Sequence, residues 1–245
     1  MKPFLILQAR PEIDAAHQEF AAILNKCHLP ESRVHRVCLD KQELQSHDLN
    51  ADYAGIIVGG GPGCISDKPN EKEQIEAKIE HRIMSLMPSI VNNDIPFIGC
   101  CYGLSILAHY LGAEVSKKRY SESVGPSKCT LTDVGLDDPI TKNLDSQFMA
   151  FVGHKEAVQS LPENCTLLVT SSSCPIQMIK YKRNIYATQF HPEATANDIE
   201  NRIITYKNHG YFPSEEAADL IKICNAVDVT EPAKILKAFT DIYGC

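Results

Sequence analysis

Three short segments of this 245-residue chain carry side chains able to do chemistry together. The first is Phe97-Ile98-Gly99-Cys100-Cys101-Tyr102-Gly103-Leu104, an apolar run that ends in two cysteines and opens a periodic segment with Leu104, Leu107, Ala108 and Leu111. It reads as a strand, a sharp turn carrying a thiol, and a helix. Gly99 and Gly103 flank the turn, where a strained backbone needs neighbours without Cβ. A thiol at a helix N-terminus also meets a dipole that favours thiolate. Two cysteines in an apolar run read equally well as small core residues.

The second segment is Gln189-Phe190-His191-Pro192-Glu193, at the end of an extended stretch. Residues two apart in a strand face the same side, so His191 and Glu193 offer a base and a carboxylate that fixes its tautomer. Val152-Gly153-His154-Lys155-Glu156 repeats the His-x-Glu pattern. Neither pair has the tight helical spacing of a metal site and no Cys-x-x-Cys occurs, so no metal is expected. The third segment is Gly59-Gly60-Gly61-Pro62-Gly63, directly after Gly55-Ile56-Ile57-Val58. Counted as a dinucleotide fingerprint from Gly59, it has Cys64 where the last glycine belongs, and no Gly-Lys-Ser/Thr follows. Such a turn suits backbone N–H groups pointed at an oxyanion.

The elements that must position these segments alternate. Phe4–Gln8, Arg33–Leu39, Gly55–Val58 and Pro96–Cys100 read as strands; Pro11–Leu24 reads as a helix with Ile13, Ala16, Phe20 and Ile23 on one face, and Glu73–Ile90 as another. This order predicts an α/β domain: helices flanking a mostly parallel central sheet, in three layers, with ligands at the carboxyl ends of the strands. Between Ala113 and Phe190 come short strand candidates at 129–131, 147–152, 166–170, 177–181 and 185–190, a small antiparallel excursion packed against the first sheet. Helices return at 198–206, 215–225 and 232–243. One domain is expected over residues 1–245, with its core at about 4–206 and a helical extension at 207–245.

A net charge of −7 without runs of Lys or Arg argues against nucleic acid and anionic membranes. The apolar start Phe4-Leu5-Ile6-Leu7 is too short for a signal peptide, and charges interrupt every longer apolar stretch. A cytoplasmic protein is expected, its ten cysteines reduced thiols.

Taken together, Gly-Gly-Gly-Pro after one strand, Gly-x-Cys-x-Gly after a later one and His-Pro-Glu near the end resemble the class I glutamine amidotransferases with a Cys-His-Glu triad. Leu7-Gln8-Ala9-Arg10 and Asn201-Arg202-Ile203-Ile204 are similar to the stand-alone branch related to the glutaminase domain of GMP synthase. The resemblance implies a flavodoxin-like fold and no cofactor. It implies Cys101 as nucleophile, His191 as base and Glu193 as its orienting carboxylate, with the N–H groups of Gly61 and Tyr102 as oxyanion hole. Gly60, Leu104, Ser105 and His154 would lie along the substrate, with His154 near the rim. The family commonly has glutamine where this chain has Ser105, and no synthetase signature follows, so ammonia would need a separate synthetase partner. Three activities stay open: a glutaminase, a γ-glutamyl hydrolase or peptidase on the same triad, and a catalytically silent binding module.

Overall fold

The computed structural model of the protein describes residues 1–44 and 49–244; Cys245 lies outside them. In chain order the elements are β1 (Phe4–Gln8), α1 (Ile13–Cys27), β2 (Val34–Cys38), α2 (Leu49–Asp52), β3 (Gly55–Val58), α3 (Gln74–Met84), α4 (Met87–Asn92), β4 (Phe97–Cys100) and α5 (Tyr102–Tyr110). Then follow β5 (Val115–Ser116), β6 (Glu122–Leu131), α6 (Asp133–Asp137), β7 (Gln147–His154), β8 (Ala157–Val158), β9 (Cys165–Ser171), β10 (Met178–Tyr181) and β11 (Ile185–Thr188). Three helices end the described chain: α7 (Ala196–Tyr206), α8 (Ala217–Asn225) and α9 (Ala233–Tyr243).

Nine strands form one sheet in the order β2-β1-β3-β4-β11-β10-β9-β6-β7, parallel from β2 to β11 and antiparallel beyond. The antiparallel strands therefore extend the parallel sheet edge to edge rather than packing against its face. β11 returns in parallel beside β4, and the excursion grows outward from it. β5 and β8 pair separately.

Strand alternation divides the core between the two faces. Leu5, Leu7, Ile56 and Val58 face α3, α4 and α5, meeting Ile79, Ile83, Met87, Leu104 and Leu107. Phe4, Ile6, Ile57 and Ile98 point the other way, toward Phe20 and Ile23 of α1 and Ile235, Leu236 and Phe239 of α9. Each such fully buried aliphatic or aromatic side chain contributes about 1.5–3 kcal/mol of apolar burial. A third cluster seats α7 and α8 on the antiparallel strands through Phe151, Ile199, Ile203 and Cys224.

Two local expectations change. The helix read from Glu73 to Ile90 is broken at Ser85–Leu86, because Pro88 in the first turn of α4 lacks the N–H that a continuous helix would use. In α1, Ile13 is exposed, and the buried face is Ala15, Ala16, Glu19, Phe20, Ile23 and Cys27. Glu19 is thus a carboxylate on a core-facing stripe.

Candidate active site

β4 ends in the interior at Cys100, and Cys101 makes the turn into α5 with φ 52° and ψ −91°. A left-handed φ on a residue with a Cβ costs on the order of 1–3 kcal/mol and persists only where the surroundings enforce it. Here the Cys101 N–H donates to the Thr188 carbonyl at 2.7 Å, tying the turn to the end of β11. A Cβ on Gly99 would lie 2.7 Å from the Gly103 backbone, so the strand and helix approach only because Gly99 has none. A Cβ on Gly103 would make an ordinary 3.5 Å contact with Val58, so the second glycine is not sterically required. Cys100 is fully buried, and its thiol is pushed well up by burial.

His191 lies just past β11, its N–H held by the Phe151 carbonyl at 2.9 Å. Its Nδ1 pairs with Glu193 Oε1 at 2.8 Å, and Arg202 Nη2 donates to the same oxygen at 2.8 Å. Facing a carboxylate, Nδ1 carries the hydrogen, which leaves Nε2 as the proton acceptor. Burial works against ionising Glu193, but His191 and Arg202 overcome it and hold the carboxyl well below its usual range. Burial lowers the pKa of His191; Glu193 opposes this, while Arg202 and Arg10 add to it. The Cys101 thiol is pushed up to about 12 by burial, with Arg10 and Arg202 pulling it down and Glu193 raising it. Burial thus works against the thiolate that the helix dipole is expected to favour, and against the charged form of the imidazole.

The glycine turn explains itself residue by residue. A Cβ on Gly59 would clash with the Glu19 carboxylate. One on Gly60 would come within 2.7 Å of His191 Cε1 and 2.8 Å of Arg10 Nη2, and one on Gly61 within 3.0 Å of the Ala9 carbonyl. The Gly60 N–H donates to Glu19 Oε1 at 3.2 Å. Among the described residues the N–H groups of Gly61 and Tyr102 have no acceptor.

Two small cavities meet at Cys101. One, about 30 Å³, is lined by Cys101, His191, Gly61 and Arg202 together with Ile199 and Tyr211. The other, about 20 Å³, is lined by Cys101, Tyr102, Gly61, Ser105, His154 and Tyr211. The structure thus gathers Cys101, His191, Gly61, Tyr102, Ser105 and His154, with Glu193 behind the imidazole. Gly60 backs His191 without lining either cavity, and Leu104 packs in the core and lines neither. His154 Nδ1 pairs with the Glu156 carbonyl at 2.9 Å and Nε2 with Glu122 Oε2 at 2.9 Å.

Among the described residues, Glu122, His154 and Cys174 form one group near enough to hold a metal. The Glu122 carboxylate there already accepts from His154, Gln177, Ser127 and Ser173, which leaves it no free lone pair aimed at an ion. No helix among the described residues is long and apolar enough to cross a membrane.

Reading the sequence for chemistry missed Glu19, Tyr206 and Tyr211, and used Arg10 and Arg202 only for likeness. Arg10 Nε donates to Glu19 Oε1 at 2.8 Å and its Nη1 to the Tyr206 hydroxyl at 3.2 Å. A usable signal existed for two of them. Glu19 stands four residues before Ile23, and Arg202 three after Ile199, so each puts a charge on an apolar helical stripe. Tyr211 carries no such signal.

The family model for glutamine amidotransferase class-I matches residues 13–207. The glutamine-hydrolyzing GMP synthase of Bacillus velezensis is 30% identical over 169 residues, covering 66% of this chain and 30% of that protein. The chain thus spans about 30% of the length of such relatives. One subunit of the glutamine-hydrolyzing GMP synthase of Methanocaldococcus jannaschii is 28% identical over 162 residues, covering 66% of this chain and 76% of that one. In fold, a glutamine amidotransferase of Thermotoga maritima superposes with a TM-score of 0.75 at 18% identity, covering 99% of this chain and 98% of the other. With the family model spanning the thiol turn, the glycine turn and the His-Pro-Glu segment, the chain belongs to the class-I glutamine amidotransferase family.

Proposed function

We propose that the protein hydrolyses the γ-carboxamide of glutamine through a thioester on Cys101. The observation that carries this reading is the meeting of Cys101 and His191 at one cavity, with Glu193 bonded behind the imidazole at 2.8 Å. As the sulfur bonds to the amide carbon, its proton passes to His191 Nε2, and the carbonyl oxygen becomes an oxyanion. The free N–H groups of Gly61 and Tyr102 receive that charge; one such donor is worth about 10²–10³ in kcat. His191 returns the proton to the nitrogen, the C–N bond breaks and ammonia leaves. Water, deprotonated by the same imidazole, then attacks the thioester and releases glutamate. Residues 4–206 form the amidotransferase core in this reading, and 207–245 an extension. The relative that is named as one subunit of a GMP synthase supports a separate synthetase chain as the consumer of ammonia.

Ser105 supports a second reading. It is buried and lines the cavity where the family commonly has a longer amide, which favours a γ-glutamyl compound as substrate.

Purified protein is given L-glutamine or a γ-glutamyl dipeptide, and glutamate release is measured. A parallel sample is labelled with a glutamine-mimicking diazo ketone. Turnover lost in Cys101→Ala, with one adduct on Cys101, is the expected result. Neither turnover nor adduct would reject both enzymatic readings and leave a silent binding module.

A further inference from the structure

Glu19 has no part in the bond-making steps above, yet it touches both halves of the site. It is 1% exposed, on the core-facing stripe of α1. Its Oε1 accepts from Arg10 Nε at 2.8 Å and from the Gly60 N–H at 3.2 Å, while Oε2 is buried with no hydrogen-bond partner. Arg202 Nη2 stands 3.9 Å from that same Oε1 and donates to Glu193 Oε1 at 2.8 Å.

Charge balance alone does not account for this placement. Two carboxylates, Glu19 and Glu193, face two guanidiniums, Arg10 and Arg202, and any carboxylate near the cations would compensate them. What is particular is that the oxygen holding Arg10 also takes the Gly60 N–H. Because a peptide unit is planar, fixing that N–H fixes the whole Gly59–Gly60 peptide. The next peptide in the chain carries the Gly61 N–H. Three consecutive glycines have wide conformational freedom, so without an outside anchor this N–H would sample many directions.

We propose that Glu19 is a positioning residue. It anchors the glycine turn through Gly60 so that the Gly61 N–H faces the cavity at Cys101, and through Arg202 it ties that turn to the carboxylate behind His191. One buried network then sets both the oxyanion donor and the base. The kinetic side of the proposal rests on the amidohydrolase reading.

Two conservative variants separate acceptor reach from charge. Glu19→Gln keeps an oxygen at full length without the charge; Glu19→Asp keeps the charge but withdraws the acceptor by one methylene. The expected result is kcat within about threefold of wild type for Glu19→Gln, and a loss of about tenfold or more for Glu19→Asp with KM unchanged. That loss is a fraction of the about 10²–10³ assigned to a whole oxyanion donor. The reverse order, equal losses, or a change confined to KM would overturn the proposal. Hydrogen exchange on the wild-type protein adds a measurement that needs no variant and no turnover. The Gly60 amide is expected to exchange slowly and the Gly61 amide quickly, and an unprotected Gly60 amide would overturn the anchor. Absence of turnover and of a Cys101 adduct in wild type would instead reject the amidohydrolase reading, with amide exchange still deciding the anchor.

Discussion

Arg202 and Glu193 are joined by a 2.8 Å hydrogen bond to the same carboxylate oxygen that His191 Nδ1 meets at 2.8 Å. The guanidinium stabilises the ionised carboxylate and also lowers the pKa of the imidazole. In Arg202→Met that lowering disappears, so His191 binds its proton at higher pH and the acid limb of kcat/KM moves up. Arg202→Lys keeps the charge and should leave the limb near its wild-type place. Removing one partner of a buried ion pair typically costs about 3–5 kcal/mol, so Arg202→Met should also unfold at markedly lower urea. A limb that stays fixed in Arg202→Met would contradict this electrostatic account.

The same logic gives the wild-type profile. His191 accepts a proton only when neutral, and burial holds its pKa below the ordinary 6.5. Activity should therefore persist as pH falls through 6.5 and decline only below it. Measuring kcat/KM from acid to alkaline pH checks this, and a midpoint at or above the ordinary histidine value would refute it.

Cys100 and Cys101 are neighbours with opposite surroundings. Cys100 is fully buried and lines neither cavity, whereas Cys101 lines both. Cys100→Ala should keep turnover and labelling while losing on the order of 1 kcal/mol of stability from the small void. Peptide mapping of the labelled protein should find the adduct on Cys101, and an adduct on Cys100 would reverse the assignment.

Tyr211 lines both cavities beside the thiol, its hydroxyl donating to the Pro62 carbonyl at 3.4 Å and its ring under Lys155 Nζ at 4.8 Å. Spaces of about 30 and 20 Å³ admit a water or two at about 10–15 Å³ each, against about 300–1,000 Å³ for ordinary ligand sites. A substrate of that size is expected to displace Tyr211, which lines both spaces. Tyr211→Ala should raise the rate of Cys101 alkylation by iodoacetamide several-fold, and an unchanged rate would mean that access runs elsewhere.

Much of this was legible in the residues. Gly55–Val58 and the run ending at Cys100 are short, wholly apolar and bounded by breakers, and both are buried parallel strands. The thiol, imidazole and carboxylate could be read because their motifs are local. Glu19, Arg10 and Tyr211 act across long sequence separations, and no short pattern records which helix face meets which turn. The Glu73–Ile90 periodicity misled for a different reason: an apolar stripe continues across Pro88 although the backbone hydrogen bonds do not.

β4 and β11 are adjacent and in register, with Thr188 opposite Cys100. Cys101 follows β4 directly and His191 comes three residues after β11, so the two leave the ends of neighbouring strands about 4.8 Å apart. Loops of the excursion from β5 to β10 can change length without moving these two strand ends, provided that β11 still returns beside β4 and that Phe151 on β7 still holds the His191 N–H.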